Sequence, residues 1–306
     1  MYGLRVVVAF GGNALEDPAK GTGFDEFAMK KAARDVDALL NAGYAIAVTH
    51  GNGTQVGELL DMTLASHNNL SSRLDILGGM TQAEIGFGLQ EVFESTLGRD
   101  FRVVLTRVVV SRDDPAFRNP TKPIGPFVKP EDVPHSGDYV FREFHVVGEK
   151  RYRMVVPSPA PLDILEKDVI KSMCDDGTPV ICCGGGGVPV IRKNDGYKGV
   201  NAVVDKDLTA SLLARLVGAD LLLILTAVDT VMLGYNTPDE TPVRELSAGE
   251  AEEYLSQGVF EEGTMAPKIK ACAQFVSSTG KTAIIGSLGK AYEALRGETG
   301  TRILPG

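Results

Sequence analysis

Three lysines stand in settings that a solvated surface charge does not need. Lys122 lies in "NPTKPIGPF", where prolines on both sides restrict the local backbone and hold the direction of the side chain. Lys206 lies between Asp205 and Asp207 at a predicted helix start, where the helix dipole favours the acids but not the cation. The aspartates fit as caps, and Lys206 fits if they turn it toward a phosphate; a solvated ion pair is the plain alternative. Lys268, in "GTMAPKIKA", opens a second helix beside small residues and adds a mobile point charge to a cluster of N–H donors.

Two glycine loops point to the same chemistry. Gly11-Gly12-Asn13 and Gly51-Asn52-Gly53 each follow a short apolar run. Neither matches the P-loop or the dinucleotide fingerprint. Glycine lets the backbone approach a ligand closely, and successive N–H groups at a helix start form an anion nest. Gly280-Lys281-Thr282 imitates the end of a P-loop, but Phe275 stands where the first glycine belongs and a strand follows instead of a helix. His50 reads as hydrogen-bonded scaffold in preference to a general base. The four cysteines show no C-x-x-C spacing and read as reduced, buried hydrophobes. No metal ligand is identified.

Elements must hold these residues. Arg5 to Phe10 is a Val-rich run predicted as a buried strand, followed by a helix over about Asp25 to Asn41 with Asp25 as N-cap and Gly43 as stop. Tyr44 to Thr49 is the next strand. The second half repeats the grammar: a helix near Leu162 to Asp175, a strand Pro179 to Cys183 with the loop Gly184 to Gly187, and a hairpin over Val188 to Val200. A helix from about Asp205 to Val217 and a strand Asp220 to Thr226 come next. Helices over about Ala248 to Gln257 and Met265 to Ser278, then a strand Thr282 to Ser287, complete the predicted sheet. From Ser111 to Val156 the chain is Pro-rich and then alternates as a hairpin turning near Gly148-Glu149, an excursion able to cover the loops.

The expected fold is therefore α/β: a three-layer αβα sandwich around a largely parallel sheet, with ligands at the strands' carboxyl ends. One domain spans 1–306, with a small protruding β-hairpin lid subdomain inserted at 111–156. The net charge of −9 excludes nucleic acid as the main partner, so any bound phosphate must be handled locally. No window holds 18 uninterrupted apolar residues, and the start lacks a basic n-region and a cleavage site, so no membrane contact and a cytoplasmic location are expected.

In order along the chain, "VVVAFGGNAL", "THGNGTQVG", "DPAFRNPTKPIGPF", "VVPSPAP", "GGGGVPVI", "AVVDKDLTASLLA", "ILTAVDTV", "MAPKIKA" and "GTRI" resemble the carbamate kinases of the amino-acid-kinase superfamily. "NPTKPIGPF" is the most specific, because it belongs to that family's protruding lid. The resemblance implies that Gly11, Gly12, Asn13, Gly51, Asn52 and Gly53 line the site of phosphoryl transfer. It implies that Lys122 reaches the carbamate end, that Lys206 and Lys268 hold the phosphates, and that Asp205 orients the lysines. The adenosine side would fall on Thr226, Ala227, Val228, Tyr235 and Met265. Mg2+, ATP or ADP, carbamate or carbamoyl phosphate, and a homodimer are implied in the same way.

The chemistry suits the residue types, since phosphoryl transfer is mostly positioning and charge neutralisation and an ionised carbamate needs no general base. Thr54, Met154, Asn201, Gly234, Thr264 and Ala266 depart from the family pattern, which puts the acceptor in question. A superfamily kinase with another small acid or phosphate acceptor is the first alternative. A nucleotide-binding sensor without catalysis is the second, and the three lysines argue against it. A dehydrogenase is the weakest, for want of a third glycine in the first loop.

Overall fold

Apolar runs too short for helices form the centre of one sheet. The computed structural model describes residues 3–11, 15, 25–65, 73–133, 140–146, 148–235, 237–261 and 263–306. Its eight-stranded sheet runs, edge to edge, Glu245–Ser247, Thr301–Leu304, Thr282–Ser287, Leu221–Thr226, Leu4–Phe10, Tyr44–His50, Val180–Cys182 and Arg102–Val104. All neighbours are parallel except Thr282–Ser287 with Thr301–Leu304.

Successive side chains of a strand point to opposite faces, so a strand buried on both reads as a continuous apolar run. Val7, Ala9, Ala47 and Leu222 pack under the helices Lys167–Asp176, Lys206–Leu216 and Met265–Thr279. Val6, Val8, Ile46 and Leu223 pack on the other face under Glu26–Asn41, Leu74–Leu97 and Ala291–Leu295. Helices on both faces of a largely parallel sheet give the expected three layers. Leu4–Phe10 pairs with Tyr44–His50 on one side and Leu221–Thr226 on the other. The chain thus departs in both directions from this strand, and a crevice opens at its carboxyl end.

Smaller sheets surround this core. Gly196–Gly199, Val188–Lys193, Arg107–Val110 and Pro161–Ile164 form one, and Val231–Leu233 with Thr241–Val243 another. Lys122–Val128, Glu149–Val156 and Val140–Val146 form a third, antiparallel throughout. The predicted hairpin is its last two strands. Lys122–Val128 adds an edge, where Pro123 and Pro126 leave no central ladder bond unmade.

Other boundaries shift. The helix expected from Leu162 begins at Lys167, because Pro161–Ile164 pairs with Arg107–Val110 as a strand. Thr282–Ser287 does not complete the sheet; two further strands extend it. Leu74–Leu97 is a 24-residue helix with no counterpart in the sequence expectation. Four glycines weaken its helical signal, at about 1 kcal/mol each against alanine, and tertiary packing overrides them. Among the described residues no helix is long and apolar enough to cross a membrane.

Candidate functional site

The strands Leu4–Phe10 and Tyr44–His50 end level with each other. Gly51 N donates to Phe10 O at 3.2 Å, and Gly11 N donates to Leu225 O at 2.9 Å. Gly51 and Asn52 then lead into the helix Gly53–Ala65, which places backbone N–H groups at a helix start. Asn52 is buried, and its Nδ2 donates to Thr81 Oγ1 of the Leu74–Leu97 helix at 2.8 Å. Gly185 closes against it with φ +60°, and a Cβ there would lie 2.1 Å from Asn52 Nδ2. Only glycine fits such a contact. His50 lies beneath, with Nδ1 3.0 Å from Gly51 O. Burial pushes its imidazole down to about 4, so it is neutral at pH 7 and serves as scaffold.

The lysines arrive from three elements. Asp205 is the N-cap of Lys206–Leu216, accepting from Asp207 N at 2.9 Å and Leu208 N at 3.2 Å. Its other oxygen accepts from Lys122 Nζ at 2.6 Å, tying the three-stranded sheet to the main body. Asp207 takes the remaining two: Lys206 Nζ donates to it at 2.6 Å and Lys268 Nζ at 3.2 Å. Lys268 also donates to Thr264 O at 3.0 Å. Burial disfavours the Asp207 charge, but the two ammonium groups hold its carboxyl well below the usual range, at about 2. Burial likewise pushes the Lys206 ammonium below the ordinary lysine value, opposed by Asp207 and reinforced by Lys268. The cluster of two cations and one anion carries a surplus positive charge in a poorly solvated place, the setting in which a bound anion gains most.

These groups face one cavity of about 570 Å³. Gly11, the Gly51–Gly53 loop and the three lysines line it, together with Thr226, Val228, Tyr235 and Met265. Arg153 of the three-stranded sheet also faces it.

A model of the amino acid kinase family matches residues 4–287. The chain is 40% identical to the carbamate kinase of Clostridium perfringens over 98% of this chain and 100% of that one. It is 44% identical to the carbamate kinase of Halobacterium salinarum, covering 98% of each. The chain belongs to the carbamate kinases of the amino acid kinase family. Among solved structures, Giardia lamblia carbamate kinase bound to AMP-PNP matches it with TM-score 0.88 and 35% identity over 99% of both chains.

Against that carbamate kinase frame, the sequence expectation divides. Gly11, Gly51, Asn52, Gly53, Lys122, Asp205, Lys206 and Lys268 come together at the cavity, as do Thr226, Val228, Tyr235 and Met265. Ala227 is exposed and does not line it. Gly12 and Asn13 lie outside the described residues. Asp205 does not gather the lysines alone: it takes Lys122, while Lys206 and Lys268 converge on Asp207, two residues further on at the same helix start.

Met154 does not line the cavity. It packs with Val56, Leu60, Ile124 and Val156 in an apolar cluster beneath the three-stranded sheet. Asn201 accepts from Leu74 N at 2.9 Å, holding the start of the long helix. Sequence reasoning missed Asp207, Arg153 and Gly185 as cavity residues. The alternation in "KRYRMVV" carried a signal for Arg153, since Met154 and Arg153 must point to opposite faces. All four cysteines are free and buried, as expected.

Proposed function

We propose that this carbamate kinase transfers a phosphoryl group between carbamoyl phosphate and ADP, giving ATP and carbamate. The convergence of Lys122, Lys206 and Lys268 with the Gly51–Gly53 loop on one cavity carries the reading. Lys206, Lys268 and the loop N–H groups bind and neutralise the phosphoryl group in flight. Lys122, on a lid formed within 111–156, closes over the acyl end. The surface from Thr226 to Tyr235, with Met265, takes the adenosine. The P–O bond to carbamate breaks as the bond to the terminal ADP oxygen forms, and the leaving carbamate keeps the electron pair. No general base is required, which suits a neutral, buried His50.

Magnesium enters as a companion of the nucleotide. Such an ion binds phosphate oxygens and keeps several waters, and it neutralises phosphate charge when bound. That suits a cavity whose carboxylates Asp205 and Asp207 are engaged by lysines. Of the departures from the family pattern, Met154 and Asn201 lie in packing and capping positions away from the cavity, which weakens the acceptor alternative, while Thr264 lines the cavity and keeps that alternative open. A cytoplasmic homodimer belongs to the same proposal, with the oligomeric state read by light scattering.

The deciding experiment mixes the purified protein with ADP, magnesium and carbamoyl phosphate and follows ATP. Rapid ATP formation over a no-enzyme blank is expected. Its absence, with ADP still bound in calorimetry, overturns the reading and returns the acceptor question.

A further inference from the structure

We propose that Arg153 grips the acyl end of the acceptor from the lid, a specificity-determining residue that acts beside Lys122. The inference rests on the acyl-phosphate reading and names the group that recognises its non-phosphate half.

Arg153 faces the cavity from the same sheet as Lys122, Pro123 and Ile124. Its direction is fixed. Nε donates to Gly125 O at 2.6 Å, and the guanidinium carbon stands 5.1 Å from the centre of the Phe127 ring, which is itself met edge-on by Phe144 at 5.8 Å. One edge of the guanidinium is thus held by the lid, and no hydrogen bond among the described residues takes its two terminal nitrogens. Burial pushes this guanidinium below the ordinary arginine value, and no nearby carboxylate opposes that.

The neighbouring strand sharpens the argument. Arg142 is the direct cross-strand partner of Arg153, so both side chains leave the same face of the lid. Arg142 donates to Asn119 Oδ1, a neutral acceptor, at 2.5 Å. Like charges directly opposite destabilise a strand pair, and a partly desolvated cation without a counter-charge is costly. An anion delivered by the substrate removes both costs.

The reaction supplies one at the right moment. As the P–O bond of carbamoyl phosphate breaks, negative charge grows on the carbamate oxygens, and a planar fork of N–H donors matches a carboxylate with two parallel bonds. Donors fixed where charge develops act more strongly in the transition state than in the ground state. Lysine presents a point charge and cannot reproduce the fork.

The test compares wild type with Arg153→Gln and Arg153→Lys. Arg153→Gln is expected to lower kcat/KM for carbamoyl phosphate by about 10²-fold, with KM for ADP unchanged; Arg153→Lys falls between. In the reverse direction KM for carbamate rises and KM for ATP does not. A folded Arg153→Gln, with wild-type melting and ADP affinity, that retains wild-type kcat/KM overturns the assignment. If Arg153→Gln does not fold, a wild-type kcat/KM in Arg153→Lys does the same. Should the wild type make no ATP, the proposed function fails separately. The arginine is then tested by the rise in Tm that acetyl phosphate, a second acyl phosphate, gives wild type and Arg153→Gln: a rise lost in the variant supports it, and equal shifts, zero included, overturn it.

Discussion

Gly57 and Gly125 meet backbone to backbone: a Cβ on Gly57 would lie 2.3 Å from both the N and the Cα of Gly125. Gly57 belongs to the helix that begins at Gly53, and Gly125 to the strand that begins at Lys122. The helix that follows the Gly51–Gly53 loop and the strand that carries Lys122 are therefore held together by a contact with no side chain between them.

Gly57→Ala tests that contact. The added methyl has nowhere to go without shifting the strand, an overpacking cost of about 1–3 kcal/mol. Displacement of Lys122 is expected to lower kcat/KM by about tenfold or more. Steady-state kinetics check this, and wild-type kcat/KM in the variant would show that the placement of Lys122 does not depend on the contact.

Lys268→Ala removes one of the two cations on Asp207 while leaving the loops in place. A fall in turnover of about 10²- to 10³-fold is expected, the usual loss for one fixed donor at a developing charge. Undiminished turnover would sink the phosphate role of Lys268.

Asp207→Asn leaves Lys206 and Lys268 buried without their counter-charge. Removing one member of a buried pair costs about 3–5 kcal/mol, so thermal unfolding should shift down by several degrees. Adding Lys206→Met should recover part of the loss, because the uncompensated cation goes with it. Strict additivity in the double variant would show that the residues do not act as a pair.

Asp35 makes stability depend on pH. It sits in the Glu26–Asn41 helix and accepts from Gly289 N at 2.6 Å and Ala291 N at 2.9 Å, fixing the start of the Ala291–Leu295 helix. Burial pushes its carboxyl up from 3.8 to about 6, against those two hydrogen bonds. Between these values the folded state holds more proton than the unfolded chain, so its contribution to stability falls as pH rises from about 4 to about 6. Above that the contribution is flat. Melting temperatures across this window should show a downward slope for this group, and Asp35→Asn should remove it; an identical slope in the variant would contradict the assignment.

Much of the site was legible because its signals are local. A capping aspartate, a glycine after an apolar run and a Pro-framed lysine each declare themselves within a few residues, and the helices at Glu26–Asn41, Lys206–Leu216 and Met265–Thr279 begin within a residue or so of where those signals place them. The 24-residue helix at Leu74–Leu97 did not, since its glycines and scattered apolar residues make sense only against the strands and loops it covers. Met154 misled for a related reason. Period-2 alternation separates it from Arg153, but nothing local says which face of the three-stranded sheet meets the cavity.

By itself the sequence determined the parallel α/β frame and picked out Gly11, the Gly51–Gly53 loop and the three lysines that meet at the cavity, because hydrophobic periodicity, caps and turn residues act over short distances along the chain. Only the tertiary structure decided which carboxylate holds which lysine, that Arg153 and not Met154 faces the cavity, and that Gly57 seats the three-stranded sheet at Gly125. Those relations join residues far apart in the chain, and side-chain pairing depends on separations of a few ångströms that packing alone sets.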